Sequence, residues 1–311
     1  MKIELSENPD HPFVLFNLGM TYGDMDCHIE AIEHLEKCIQ ISSAGESHVR
    51  KAYALLVSSL TELNRCDDAW ARLTQAIADF PNDPELQFRK GLVAHRLNRL
   101  AEAANAYRNA IANRDERHFS SIDRSLTGYK ARQNLAIVLE EQGKLDLAEI
   151  QWRRVLDELP SYRPPWRGLS ECLLKQKKLK TLQVELEQIP NERPLLCESA
   201  IQRYLIAKAS GDLAEASRQL GQAAHILPDD IHLLRCRCHF LFDNGNPDEA
   251  IQALSELCRR EPNDGAAHHN LGLACLRANR TGAAKVAFEN SLAVRPNHSL
   301  TQQLLASLPA G

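Results

Sequence analysis

The chain has 311 residues, 44% hydrophobic and 25% charged, with a formal net charge of −4. That balance describes a folded protein with a sizeable core, and so mild an acidity argues against a nucleic-acid partner or an anionic-membrane surface. Aromatics make up only 5% while Ala and Leu abound, which favours helices, because small and straight-chain residues lose little entropy there. Met1-Lys2-Ile3-Glu4 opens without signal-peptide character. No apolar run reaches the roughly 18 residues of a membrane span. The nine cysteines include no C-x-x-C pair, so reduced thiols in a cytoplasmic protein are expected.

Residues 1–11 read as a polar lead-in. From residue 12 the pattern is a pair of amphipathic helices, repeated, with pairs starting at 12, 50, 84, 129, 163, 197, 231 and 265. The period is carried by Pro160, Pro194, Pro228, Pro262 and Pro296, which follow one another at steps of 34. Gly19, Gly91 and Gly272 share the eighth position of their pairs. Ala31, Ala69, Ala103 and Ala148 share the twentieth. A small residue at position 8 lets the second helix approach the first closely, with the Ala at position 20 expected to meet it. Pro81-Asn82-Asp83-Pro84 stops one helix and starts the next, with Asp83 as N-cap and Pro84 at N1. Two steps exceed the period, which places insertions near 42–49 and 114–128. The pair starting at 163 carries Leu182 at its small position, and Pro190 shortens its second helix. Residues 299–311 form a closing helix and tail, with Leu300, Leu304, Leu305 and Leu308 on the apolar face and Gln302 and Gln303 towards solvent.

Asn17-Leu18-Gly19-Met20-Thr21-Tyr22, Asn270-Leu271-Gly272 and Asp248-Glu249-Ala250 with Leu254 resemble the tetratricopeptide repeat. The resemblance implies an all-α, right-handed superhelical solenoid: eight helix-turn-helix repeats over 12–298 and a capping helix from 299. It also implies a non-catalytic scaffold that binds a protein or peptide in a concave groove, with no cofactor, no metal and no nucleic acid. A narrower resemblance lies in Asn8-Pro9-Asp10-His11-Pro12-Phe13, Arg50-Lys51-Ala52-Tyr53 and Arg117-His118-Phe119-Ser120 through Gly128-Tyr129. These stretches look like the repeat region after the catalytic domain of bacterial family 2 glycosyltransferases. They imply, as the alternative, an accessory region serving substrate recognition or self-association, with the enzyme domain outside this chain. Asp24-Met25-Asp26 has the spelling of that family's metal motif but falls in a turn.

Positions 2, 5, 9 and 12 of each first helix lie opposite its packed stripe, and the family's groove is lined from there. The candidate groove residues are Phe16, Asn17, Lys51, Phe88, Asn134, Arg167, Arg235, His239, His269 and Asn270. Phe13, Phe16 and Phe88 are expected to form an exposed apolar lip, and His232, Arg235, His239 and His269 a basic wall. Asn17, Asn134 and Asn270 occupy position 6, where the family's long O-linked sugar transferases hold peptide backbones. His232, Cys236 and His239 share one helical face at i, i+4 and i+7, a spacing that suits Zn²⁺. No second carboxylate or cysteine completes the set nearby, and a polar face is the expected reading.

Overall fold

A computed structural model describes residues 11–43, 46–113 and 124–308. Most of the lead-in, residues 44 and 45 of the first insertion, 114–123 of the second and the last three residues lie outside the described residues. Every regular element among the described residues is helical. The chain divides into two compact units, Met1–Leu182 and Gln183–Gly311. The first holds α1 (Pro12–Asp24), α2 (His28–Ile41), α3 (Ser47–Glu62), α4 (Cys66–Asp79), α5 (Pro84–Arg96), α6 (Leu100–Ala112), α7 (Arg124–Thr127), α8 (Tyr129–Glu141), α9 (Leu145–Glu158) and α10 (Arg163–Lys175). The division falls within α11 (Leu179–Glu187). The second holds α12 (Arg193–Ala209), α13 (Leu213–Ile226), α14 (Ile231–Asn244), α15 (Pro247–Arg260), α16 (Gly265–Arg277), α17 (Thr281–Val294) and α18 (Ser299–Ala306). Within each unit, helices adjacent in sequence pack on one another. The short α7, within the expected second insertion, packs on α5, α6 and α8.

One joint recurs. Gly19, Gly91 and Gly272 each face a large side chain of the second helix: Leu35, Tyr107 and Phe288. A Cβ on these glycines would come within 2.4–2.5 Å of that side chain. The close neighbour is thus the bulky residue at position 24, while the small residues at position 20 (Ala31, Ala69, Ala103 and Ala148) are fully buried. Neither helix buries its stripe alone, and the joint couples the two.

A second device recurs at the start of the first helices. Gln87 Nε2 donates to the Pro81 carbonyl at 2.9 Å, Trp166 Nε1 to Pro160 at 2.8 Å, and Gln302 Nε2 to Pro296 at 2.8 Å. His268 Nε2 lies 3.0 Å from the Pro262 carbonyl. At these four places the position-4 side chain gives the proline carbonyl a partner, whereas Ala200 and Leu234, six residues after Pro194 and Pro228, have no side-chain N–H to offer. Asp83 caps α5 through Leu86 N at 2.8 Å, and Asp230 caps α14 through Leu233 N at 2.8 Å.

Between the two helices of a pair, seven turns place position 15 in the left-handed region: Asp26, Asn64, Asn98, Gly143, Lys177, Gly211 and Asn279. The residue after each donates back five residues, as Arg99 N does to the Ala94 carbonyl at 2.8 Å. Gly245 breaks the series, with φ −102° and ψ −176°. The cause is Pro247, which forces Asn246 to ψ 133°, where the equivalent residues Arg99 and Arg280 have ψ 65° and 66°. Asn246 then caps α15 with its side chain, accepting from Asp248 N at 3.0 Å. Lys177 is the costly member of the series, because its Cβ crowds the next carbonyl at φ 60°. Lys177→Gly should raise stability by about 0.5–1 kcal/mol in urea denaturation. A loss of stability would mean that the turn is not strained.

The closing helix differs from expectation in one residue. Leu304, Leu305 and Leu308 pack against the Cys275–Ala284–Phe288 cluster, but Leu300 is 51% exposed. It is the second residue of α18 and stands outside that cluster. Gln302 and Gln303 face solvent.

Candidate functional site

In the first unit, α1 presents an aromatic group. Phe13 is 54% exposed, and its ring centroid lies 6.2 Å from Phe16 and 6.4 Å from His48. Phe16 is half-buried, 5.9 Å from the same imidazole, whose Nε2 lies 2.9 Å from Ser42 Oγ. Met20, one turn further on, is exposed, and Asn17 between them is half-buried. Phe88 does not join this lip. It is 6% exposed, because its ring leans on Tyr107 at 5.7 Å and fills the α5–α6 joint. The expected patch therefore reduces to Phe13 and Phe16, with the exposed Met20 beside them.

Lys51 does not stand as a free cation. Its Nζ lies 2.8 Å from Glu85 Oε1, and Arg50 and Arg89 reach the same carboxylate at 3.3 and 3.0 Å. Glu85 is 1% exposed. Burial pushes its pKa up, but Arg89 and Lys51 outweigh burial and hold it below the usual carboxylate value. Further along, His95 Nε2 meets Glu141 Oε2 at 2.8 Å. Asn134 and Arg167 are half-buried on α8 and α10.

In the second unit, α12 and α14 build a charged face. Lys208 Nζ pairs with Asp243 at 2.8 Å, and Arg235 pairs with Asp264 at 2.7 Å and with Glu261. His239 is exposed between these pairs, near enough to Lys208, Asp243, Arg235 and Asp264 for all four to act on its charge. Burial of part of the ring and the Lys208 ammonium hold its pKa below the usual histidine value. His232 turns instead towards the buried Glu198, with Nδ1 3.5 Å from Oε1. Cys236 is buried, and its carbonyl accepts from Tyr204 Oη at 3.4 Å. The i, i+4, i+7 spacing thus does not bring these three side chains together. Among the described residues no three His, Cys, Asp or Glu groups converge to hold a metal.

His269 also departs from the expected wall. It is 8% exposed, bonded through Nδ1 to Thr301 Oγ1 at 2.7 Å under α18. The reason is that α18 begins one period after α16 and covers its inner side, which a reading of α16 alone misses. Asn270 beside it is half-buried. Burial pushes the Cys238 thiol up to about 12 and the Cys258 thiol up to about 11, so neither is a ready nucleophile.

On the second-helix side the surface is less uniform. A cleft of about 620 Å³ lies over α14, with Leu220, Leu234, Phe240, Leu241 and Ala253 on its walls. It adjoins the pair whose turn Pro247 alters. No helix among the described residues is long and apolar enough to cross a membrane.

Three family models, each described as Tetratricopeptide repeat, match the chain at residues 14–44, at 55–117, and at 207–271 and 241–308. Among solved structures, a tetratricopeptide repeat protein from Parabacteroides merdae is similar at TM-score 0.63 and 12% identity, covering 95% of this chain and 97% of that one. PilW, a type IV pilus biogenesis factor, is similar at TM-score 0.53 and 20% identity over 72% of this chain and 97% of its own. Pseudomonas aeruginosa pilF is similar at TM-score 0.51 and 16% identity, over 73% and 97%. At these identities the likeness concerns the fold. No curated protein matches the chain. Helix pairs joined at a small residue, a period of 34 and repeat matches over well over half of the sequence agree: the chain is a tetratricopeptide-repeat protein.

Proposed function

We propose that the chain is a non-catalytic scaffold of eight repeats that grips an extended protein or peptide segment along its first-helix faces. The observation that carries this reading is the α12–α14 face. Lys208, Arg235 and His239 come from neighbouring first helices and reach solvent together, while the opposite stripes of the same helices are buried. Half-exposed ion pairs there are worth little to stability, so they can exchange partners with a ligand's carboxylates or backbone carbonyls. The exposed Phe13 and half-buried Phe16 supply the aromatic anchors that dominate interface energies. Nine cysteines, none of them in a disulfide, support a reducing compartment, the cytoplasm.

Arg235→Ala with His239→Ala should weaken capture of the native partner by about one to two orders of magnitude, or about 1–3 kcal/mol. Calorimetry with the purified partner checks this, with helicity followed by circular dichroism and expected unchanged. Gln252→Ala on α15 should leave binding intact. If both variants bind as wild type does while deletion within 114–128 abolishes capture, the inserted segment is the site instead.

The stretches near 8–19, 50–56 and 117–130 support a second reading, an accessory region of a family 2 glycosyltransferase used for substrate recognition or self-association. A nucleotide-sugar domain encoded upstream of Met1 would favour it, and a natural start at Met1 would favour the scaffold.

A further inference from the structure

We propose that α18 is held to α16 by a proton-sensitive latch, in which two imidazoles share one buried threonine hydroxyl and let the helix go when both are charged. Thr301 on α18 is fully buried. Its Oγ1 lies 2.7 Å from Nδ1 of His269 on α16 and 2.5 Å from Nδ1 of His298 in the turn before α18. The two rings stand 5.1 Å apart, edge to face.

A hydroxyl carries one proton and two acceptor sites. With both imidazoles neutral the arrangement closes: one Nδ1 accepts the hydroxyl proton, and the other ring, as its Nδ1–H tautomer, donates to the oxygen. With both charged, each Nδ1 carries a proton. The hydroxyl can then only accept, and its own proton points into a buried space. Two cations also face each other across 5.1 Å. The charged groups that act on His269 are His298 and Arg295, both basic, and no carboxylate offsets them among the described residues. His268, next on α16, faces the other way towards the Pro262 carbonyl, and α17 contributes the apolar Phe288 ring at 5.7 Å.

Burial, then His298 and Arg295, push the His269 pKa down. A base with a depressed folded-state pKa stabilises the docked form fully above its unfolded value, near 6.5, and loses that contribution as pH falls through the folded value. The helix has little else to hold it. Its 8 residues are too few to persist alone, Leu300 is exposed, and Leu304, Leu305 and Leu308 are only partly buried. Release uncovers the inner side of α16 and the edge of the Cys275–Phe288 cluster, an apolar face available only in acid.

Hydrogen exchange of the full chain at pH 7.5 and pH 5.0, corrected for intrinsic rates, tests the latch. Protection of the 299–308 amides should fall about tenfold or more in acid while α14 stays constant. In the double variant His269→Gln, His298→Gln the acid loss should shrink below about twofold. Equal protection of wild type at both pH values, or the same acid loss in the double variant, overturns the proposal. Should α18 fail to dock in that variant, an NMR titration of wild type decides. His269 must titrate below about 6.5 and in step with the loss of α18 protection. Titration at the ordinary value, or out of step with that loss, overturns it equally.

Discussion

Phe288→Ala is expected to lower the stability of the second unit by about 3–5 kcal/mol, the cost of emptying a core aromatic site that cannot collapse. The ring is fully buried, and it fills the space in front of Gly272, where a Cβ would sit only 2.4 Å from it. The helices α16 and α17 meet through this pair, and Leu271, Leu304 and Leu305 lean on the same cluster. Ala leaves a void between two backbones that are already as close as they can be, so relaxation recovers little. Urea denaturation followed by circular dichroism measures the loss. Because stability in an array is shared mainly between neighbours, the transition should broaden or split as well as shift. Val286→Ala on the exposed side of α17 should cost less than about 0.5 kcal/mol. A loss below about 1 kcal/mol at Phe288 would mean that the joint is not closed as described.

Glu85→Ala should cost the first unit about 3–5 kcal/mol by a different route. Glu85 receives Arg50, Lys51 and Arg89 from α3 and α5, and it is nearly inaccessible. Its removal leaves three cations facing Asp83, which holds Arg50 at 3.0 Å, as the one carboxylate paired with them among the described residues. The penalty comes from the cations left behind rather than from the ion pairs lost. The same carboxylate sets a pH dependence. Its folded-state pKa lies below the ordinary 4.5, so its contribution is present above that value and is lost as pH falls through the folded one. Wild type should therefore weaken in that range, and Glu85→Ala should show a flatter acid limb. An unchanged limb would assign the acid response to other groups.

The helical class and the 34-residue period were legible because they repeat: Pro160 to Pro296 mark one recurring turn and the glycines at position 8 one recurring joint. Asp83 and Pro84 were legible as a helix start because their local chemistry does not depend on neighbours. The site was read less well wherever burial depended on another helix. Phe88 occupies a groove position by helical arithmetic, yet Tyr107 takes it into the core. His269 looked solvent-facing until α18 was placed over it. Lys51 looked like a free cation because Glu85, 34 residues on, carries no signal of being buried. The proline-carbonyl donors Gln87, Trp166 and Gln302 keep a constant six-residue spacing from Pro81, Pro160 and Pro296, a signal that the sequence itself carries. Pro247 was visible as a turn residue, but its effect on Gly245 appears only beside the seven other turns.

The central claim is that ligand lies on the first-helix face. Photo-crosslinking tests it most directly, with a benzophenone amino acid placed singly at Met20, Ser58 and His239 on first helices, and at Leu147, Val184 and Gln252 on second helices. The native partner should be captured from the first three positions and not from the last three. Capture only from Leu147, Val184 or Gln252 would contradict that claim and move the binding surface to the second-helix side.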